Sequence, residues 1–146
     1  MKKIITHDWS RNREPVDTLT LGCLDRRFKG WRKLFGELMG FNMSFPLTLP
    51  GGVKDLVYPK HPRDAEHLLE KISLLIHHYP NLKLVLMGHE ECLDCAQCSD
   101  PTFYEDMLQQ AGNLLRERFP KQETFLVFVA FDGIYLVEQA VCMAVV

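Results

Sequence analysis

The chain has 146 residues, 47% of them apolar and 25% charged, which is the balance of one globular domain with a sizeable core. A formal net charge of −2 leaves no electrostatic footprint for nucleic acid or an anionic membrane surface. No stretch reaches the roughly 20 apolar residues of a transmembrane helix. The opening Met1-Lys-Lys-Ile-Ile-Thr-His-Asp-Trp9 lacks the apolar run of a signal peptide, so the expected compartment is the cytoplasm. There are five cysteines, an odd number, and three are packed into Cys92, Cys95 and Cys98. Without a secretory signal, that usage suits metal or redox chemistry better than a disulfide framework.

Val16 to Cys23 alternates and reads as a strand. Phe28, Trp31, Leu34, Phe35 and Leu38 then recur at helical spacing, with Gly40 as the stop. Asn42 to Leu49 reads as a second strand. Pro46 inside it cannot donate a ladder hydrogen bond, which places it at a sheet edge. Pro50-Gly51-Gly52 ends it in a turn, lacking the lysine and serine of a phosphate-binding loop. His61-Pro62 opens a helix whose inner stripe is Ala65, Leu68, Leu69, Ile72, Leu75 and Ile76, and Pro80 stops it. Leu82 to Met87 is the continuous apolar run of a central parallel strand. Asp100-Pro101 caps a third helix with Met107, Leu108, Ala111, Leu114 and Leu115 inside. Phe125 to Phe131 is a further strand, and Asp132-Gly133 signals a hairpin into Ile134 to Glu138. The apolar tail Ala140 to Val146 suits a subunit contact.

Strands alternating with helices, without a linker or a repeat, imply a single α/β domain over residues 1–146. The expected architecture is a three-layer fold with a mostly parallel central sheet, of order 2-1-3-4 plus an antiparallel C-terminal strand. In such a sheet ligands bind beyond the carboxyl ends of the strands, where the winding reverses. Cys23 ends the first strand and Gly88-His89 ends the third, so this order brings Cys23, His89 and Cys92 within reach of one ion. Two thiols and one imidazole make a three-ligand set for zinc with the fourth position open, the pattern of a catalytic rather than a structural site. Asp25 and its neighbour Arg27 stand beside the first thiol.

The pair of motifs Cys23-Leu-Asp25-Arg-Arg27 and His89-Glu-Glu-Cys92 resembles the Cys-x-Asp-x-Arg and His-x-x-Cys pattern of the β-class carbonic anhydrases. The resemblance runs in element order from about Thr18 to Glu138. It implies Zn2+ held by Cys23, His89 and Cys92, with water or Asp25 in the fourth position. It also implies a lyase that hydrates carbon dioxide reversibly to bicarbonate through a zinc-bound hydroxide, oriented by Asp25, which Arg27 keeps ionised. Glu90, Glu91 and the pair His77-His78 are candidate proton carriers, and a homodimer or higher homo-oligomer is the implied assembly. Two stretches depart from the family. Leu47-Thr-Leu-Pro-Gly-Gly-Val-Lys-Asp55 lacks its Arg-Asn pair, and Leu93-Asp94 stands where glycines usually follow the second cysteine. Two alternatives stay open. One is a non-catalytic zinc-binding relative of the family. The other is an iron–sulfur or redox protein using Cys92, Cys95 and Cys98, with Cys23 as a fourth ligand.

Overall fold

The computed structural model describes residues 2, 5–6, 15–42 and 44–139. Five strands form one sheet in the order β2-β1-β3-β4-β5: β1 is Thr18–Cys23, β2 Ser44–Leu49, β3 Lys83–His89, β4 Thr124–Ala130 and β5 Gly133–Leu136. The first four run parallel, and β5 returns antiparallel to β4. The α/β fold expected from the sequence is therefore the one observed, including the strand order. Pro46 lies opposite Thr20 on β2, which among the described residues pairs with β1 alone, so its missing N–H interrupts no inner ladder.

Helices cover both faces. On one face, α3 (Pro62–His78) and α4 (Pro101–Arg118) press Leu69, Ile72, Met107, Leu108 and Leu115 onto Leu19, Leu21, Leu84, Leu86 and Leu126. On the other, α1 (Trp31–Met39) packs Trp31 and Phe35 with Phe28 against Val85, Met87, Val127 and Val129. Residues alternate between these two cores along β3, which is why its sequence is apolar at nearly every position. His61 and Asp64 close a capping box at the start of α3, and Asp100 accepts from the Thr102 N–H at the start of α4.

Three local expectations are corrected. Leu34 and Leu38 share the helical spacing of Trp31 and Phe35 but stand 61% and 79% exposed, because α1 lies on the sheet along a narrow stripe. Phe28 sits in a 3-10 turn before that helix. The hairpin after β4 turns on Phe131-Asp132, with Ala130 paired to Gly133, so Gly133 is the first residue of β5 and not a turn glycine. A further short helix, α2 (Lys54–Val57), follows the Pro50-Gly51-Gly52 turn where only a loop is readable from the sequence. The apolar tail Ala140 to Val146, His7 and Met43 lie outside the described residues.

The turn after β2 is pinned to the end of β1. A Cβ on Gly52 would lie 2.7 Å from the Cys23 nitrogen and the Gly22 carbonyl carbon, and its φ is +55°. Both the backbone conformation and the close approach demand glycine. Gly52→Ala should destabilise the fold by at least about 2 kcal/mol, whereas Gly133→Ala, with open space around its Cβ, should stay within about 0.5 kcal/mol. Urea unfolding midpoints of the two variants check the contrast.

Candidate metal centre

β1 and β3 are parallel neighbours, in register from Thr18 opposite Lys83 to Leu21 opposite Leu86. β2 lies on the far side of β1 and β4 on the far side of β3, so the winding reverses between them. Cys23 is the last residue of β1 and His89 the last of β3. Their side chains meet at the crevice that such a reversal opens.

Beyond His89 the chain folds back on itself. Glu91, Ala96 and Gln97 take left-handed φ values of 53°, 53° and 52°, and a 3-10 turn spans Leu93–Cys95. The Gln97 N–H donates to the Cys92 carbonyl at 2.9 Å, and the Glu91 N–H donates to the Cys98 carbonyl at 3.1 Å. Cys92 and Cys98 thus bridge as an isolated antiparallel pair, and the loop turns the Cys92 thiol back over the strand ends.

The ligand atoms of Cys23, His89 and Cys92 all lie within 4.8 Å of one another. No other group of three such donors gathers among the described residues. The two thiol sulfurs are 4.0 Å apart. Two thiolates bound to one tetrahedral zinc at about 2.3 Å would stand roughly 3.8 Å apart, so the pair needs almost no movement. His89 is 1% exposed. Its Nδ1 lies 2.9 Å from the Glu90 carbonyl, which fixes that nitrogen as the donor. Nε2 is buried and has no hydrogen-bond partner of good geometry. A histidine whose one nitrogen bonds a carbonyl while the other is left free is the form a metal-ligating imidazole takes. The Phe28 ring, 4.7 Å from that of His89, packs against it.

Protonation follows from these contacts. The Cys23 thiol is pushed up to about 12, first by its neighbour Cys92 and then by burial. Burial works to lower the His89 pKa, but contact with Cys23 and with the Glu90 carbonyl leaves it raised. Without a cation, this pocket does not favour two thiolates side by side. A divalent ion has to displace their protons.

Asp25 is not one of the gathered donors. Its Oδ1 accepts from the Arg27 backbone N–H at 2.9 Å and from Nε at 3.1 Å, and its Oδ2 accepts from Nη2 at 2.8 Å. The Arg27 guanidinium holds this carboxyl down to about 2. Arg27 also reaches across to the second motif, donating to the Glu91 carbonyl at 2.9 Å and to its carboxylate at 3.3 Å. It rests over the rings of Phe28 and Phe131, at 5.7 and 5.4 Å from their centroids. A cleft of about 500 Å³ opens beside the thiol, lined by Cys23, Leu24, Asp25, Arg27, Pro50 and Leu93 among others. Asp94, which also lines it, pairs with Lys54 at 2.9 Å, joining the turn after β2 to the cysteine loop.

The five residues singled out in the sequence are therefore brought to one place, three as gathered donors and two as an ion pair beside them. Cys95 touches Cys92 but falls outside the three-donor group, and so does Cys98. The candidate proton carriers fare unevenly. Glu91 is engaged by Arg27, and the Glu90 carboxylate accepts from the Phe131 N–H at 3.0 Å. His77 and His78 end α3, which leads into the start of β3, so they lie at the opposite end of the sheet from the cluster. Tyr104 carried no sequence signal, yet its hydroxyl accepts from the Cys92 N–H and donates to the Cys98 carbonyl. Burial pushes that phenol up to about 12, which keeps it a donor. Comparison with protein-family models, with curated proteins and with solved structures brought no match. Among the described residues no helix is long and apolar enough to cross a membrane.

Metal-free chain titrated with zinc should take up about one equivalent and release protons, with the apparent affinity falling from about pH 8 to about pH 6. Cys92→Ser should abolish uptake at micromolar zinc, read by competition with a chromophoric chelator. The Asp25–Arg27 pair has its own pH signature. Because the folded Asp25 pKa is depressed to about 2, its contribution is present at neutral pH and fades as pH falls from about 4. The stability gap between wild type and Arg27→Ala should narrow over that acid range in urea titrations, while carboxyl NMR shows Asp25 titrating near the ordinary value in the variant.

Proposed function

We propose that this chain is a zinc-dependent lyase that hydrates carbon dioxide reversibly to bicarbonate, with Cys23, His89 and Cys92 as the metal ligands and Asp25 and Arg27 as the groups that orient the reaction. The observation that carries the reading is the buried, unpartnered His89 Nε2 beside two thiols 4.0 Å apart, next to an arginine-held carboxylate. The donor set fits zinc: two soft thiolates and an imidazole, with room for a fourth ligand. When bound, zinc supplies Lewis acidity strong enough to ionise water near neutral pH.

The rest of the mechanism belongs to the chain. Two thiolates oppose that ionisation by donating electron density, so an outer group that stabilises the ionised form is useful. Asp25 suits that role. Its carboxyl, held down to about 2, is too weak a base to keep a proton at neutral pH, so it accepts a hydrogen bond and aims the nucleophile's lone pair. Arg27 holds the carboxylate through both oxygens and ties it to the Glu91 carbonyl, which keeps it turned from the three donors and leaves the fourth position to solvent. Leu24, Leu93 and Pro50 form an apolar wall that suits a small, linear, uncharged substrate. The reaction balances as carbon dioxide plus water giving bicarbonate and a proton, and the open cleft lets solvent carry the proton away. Carbonyl sulfide is likewise small, linear and uncharged, and the apolar wall favours it as an alternative substrate for the same chemistry.

Metal analysis paired with stopped-flow hydration on the same sample tests this. Zinc-loaded wild type should hydrate carbon dioxide, and Asp25→Asn should keep its zinc yet lose about 100-fold or more in turnover. Full activity in that variant removes Asp25 from the mechanism. Full zinc occupancy with no turnover of carbon dioxide or carbonyl sulfide in the wild type leaves a non-catalytic zinc protein instead.

A further inference from the structure

Tyr104 stands in the first turn of α4, in the middle of the core, with 0% exposure. Its ring is held from two sides: it stacks on Phe128 at 5.3 Å and meets Phe103 edge-on at 5.1 Å. With the ring fixed, the hydroxyl has one place to go. It accepts from the Cys92 N–H at 3.1 Å and donates to the Cys98 carbonyl at 2.6 Å. These two backbone groups are the two ends of the cysteine loop, and the first belongs to a candidate metal ligand.

We infer that Tyr104 is a positioning residue for the metal centre, its hydroxyl clamping both ends of the Cys92–Cys98 loop so that the Cys92 sulfur faces Cys23 and His89. This rests on the metal reading of the site given above. The core does not require the hydroxyl. Phenylalanine fills the same volume, and a buried phenol is favourable only where its hydroxyl is bonded. The loop does require it. Glu91, Ala96 and Gln97 hold left-handed backbone conformations that non-glycine residues adopt only when their surroundings impose them. Phenylalanine at 104 would leave the Cys92 N–H buried and unpaired and would strip the Cys98 carbonyl of one of its two bonds, leaving it the Glu91 N–H alone, and the loop would relax outwards to find water. Cys92 would move with it. Outer groups that orient metal ligands typically govern affinity by about 10–100-fold.

The test compares Tyr104→Phe with Leu115→Ala, which empties a fully buried site on the same helix without touching the loop. Zinc affinity is read by chelator competition, ligand geometry by the thiolate-to-cobalt absorption of the cobalt(II)-loaded chain, and stability by urea unfolding. Tyr104→Phe is expected to weaken zinc binding about 10–100-fold and alter the cobalt spectrum. Leu115→Ala is expected to lose stability with affinity and spectrum unchanged. Wild-type affinity and spectrum in Tyr104→Phe, or an equal loss of affinity in Leu115→Ala, would overturn the role. Amide exchange gives a second reading on the wild type, where the Cys92 N–H should be protected in the metal-free chain. Rapid exchange there overturns the clamp even if Tyr104→Phe fails to fold. A wild type that binds no zinc sinks the metal reading itself, so the two failures are told apart.

Discussion

A buried imidazole nitrogen without a hydrogen bond of good geometry costs roughly 1–3 kcal/mol, and the fold holds His89 Nε2 in that state with the Cys23 thiol beside it. The ring cannot turn away: Nδ1 is committed to the Glu90 carbonyl, Phe28 packs against it, and β4 pairs along the length of β3 up to His89 opposite Val129. The position of this one nitrogen dictates what the neighbouring segments have to do. β1 has to end beside it, which the parallel register between Leu21 and Leu86 ensures. The turn after β2 has to press on Gly22 and Cys23, which only glycine at position 52 permits. The loop after β3 has to come back instead of leaving the sheet. An imidazole lone pair gathered with two thiols, and bonded in good geometry to neither, is an arrangement that could hold a cation.

The returning loop is the expensive part of that arrangement. Three non-glycine residues with positive φ within seven positions, each costing on the order of 1 kcal/mol, are not a loop's free choice. Two anchors impose the conformation from opposite sides. Tyr104 holds it from the core, at the Cys92 N–H and the Cys98 carbonyl. Arg27 holds it from the surface, at the Glu91 carbonyl and carboxylate, while the same guanidinium grips Asp25. Arg27 therefore joins two segments that are 64 residues apart in the chain. The arginine that keeps Asp25 ionised is also a structural tie between the two motifs, so removing it changes the electrostatics and the geometry together.

Much of this was legible in the sequence because simple constraints wrote it. The uninterrupted apolar run at Leu82 to Met87 reads as a strand with two cores because β3 does face two cores. Pro46 reads as an edge because a missing N–H is tolerated there. Those two placements fix the strand order, and the order brings Cys23 to His89. What stayed hidden depends on which of several equally apolar residues a helix turns inward, or on single contacts across the chain. Leu34 and Leu38 fit the helical period as well as Phe35 does, and only the width of the covered sheet decides between them. Asp132-Gly133 has the composition of a turn, but the chain turns one residue earlier because the β4–β5 register sets Ala130 opposite Gly133. Tyr104 was invisible because a tyrosine in an apolar helical stripe reads as core. Its hydroxyl acquires meaning only when α4 lies beneath the cysteine loop.

Most of the charges around the cluster and its cleft are paired with one another. Two thiolates would balance the charge of a bound dication, and Arg27 is shared between the carboxylates of Asp25 and Glu91. The nearest further pair, Lys54 with Asp94, is likewise closed on itself. Arg26 also lines the cleft, beside the walls formed by Leu24, Leu93 and Pro50, and among the described residues it enters no ion pair. An apolar wall beside one unpaired guanidinium is the charge balance of this mouth, and it follows from the pairings independently of any likeness to other proteins.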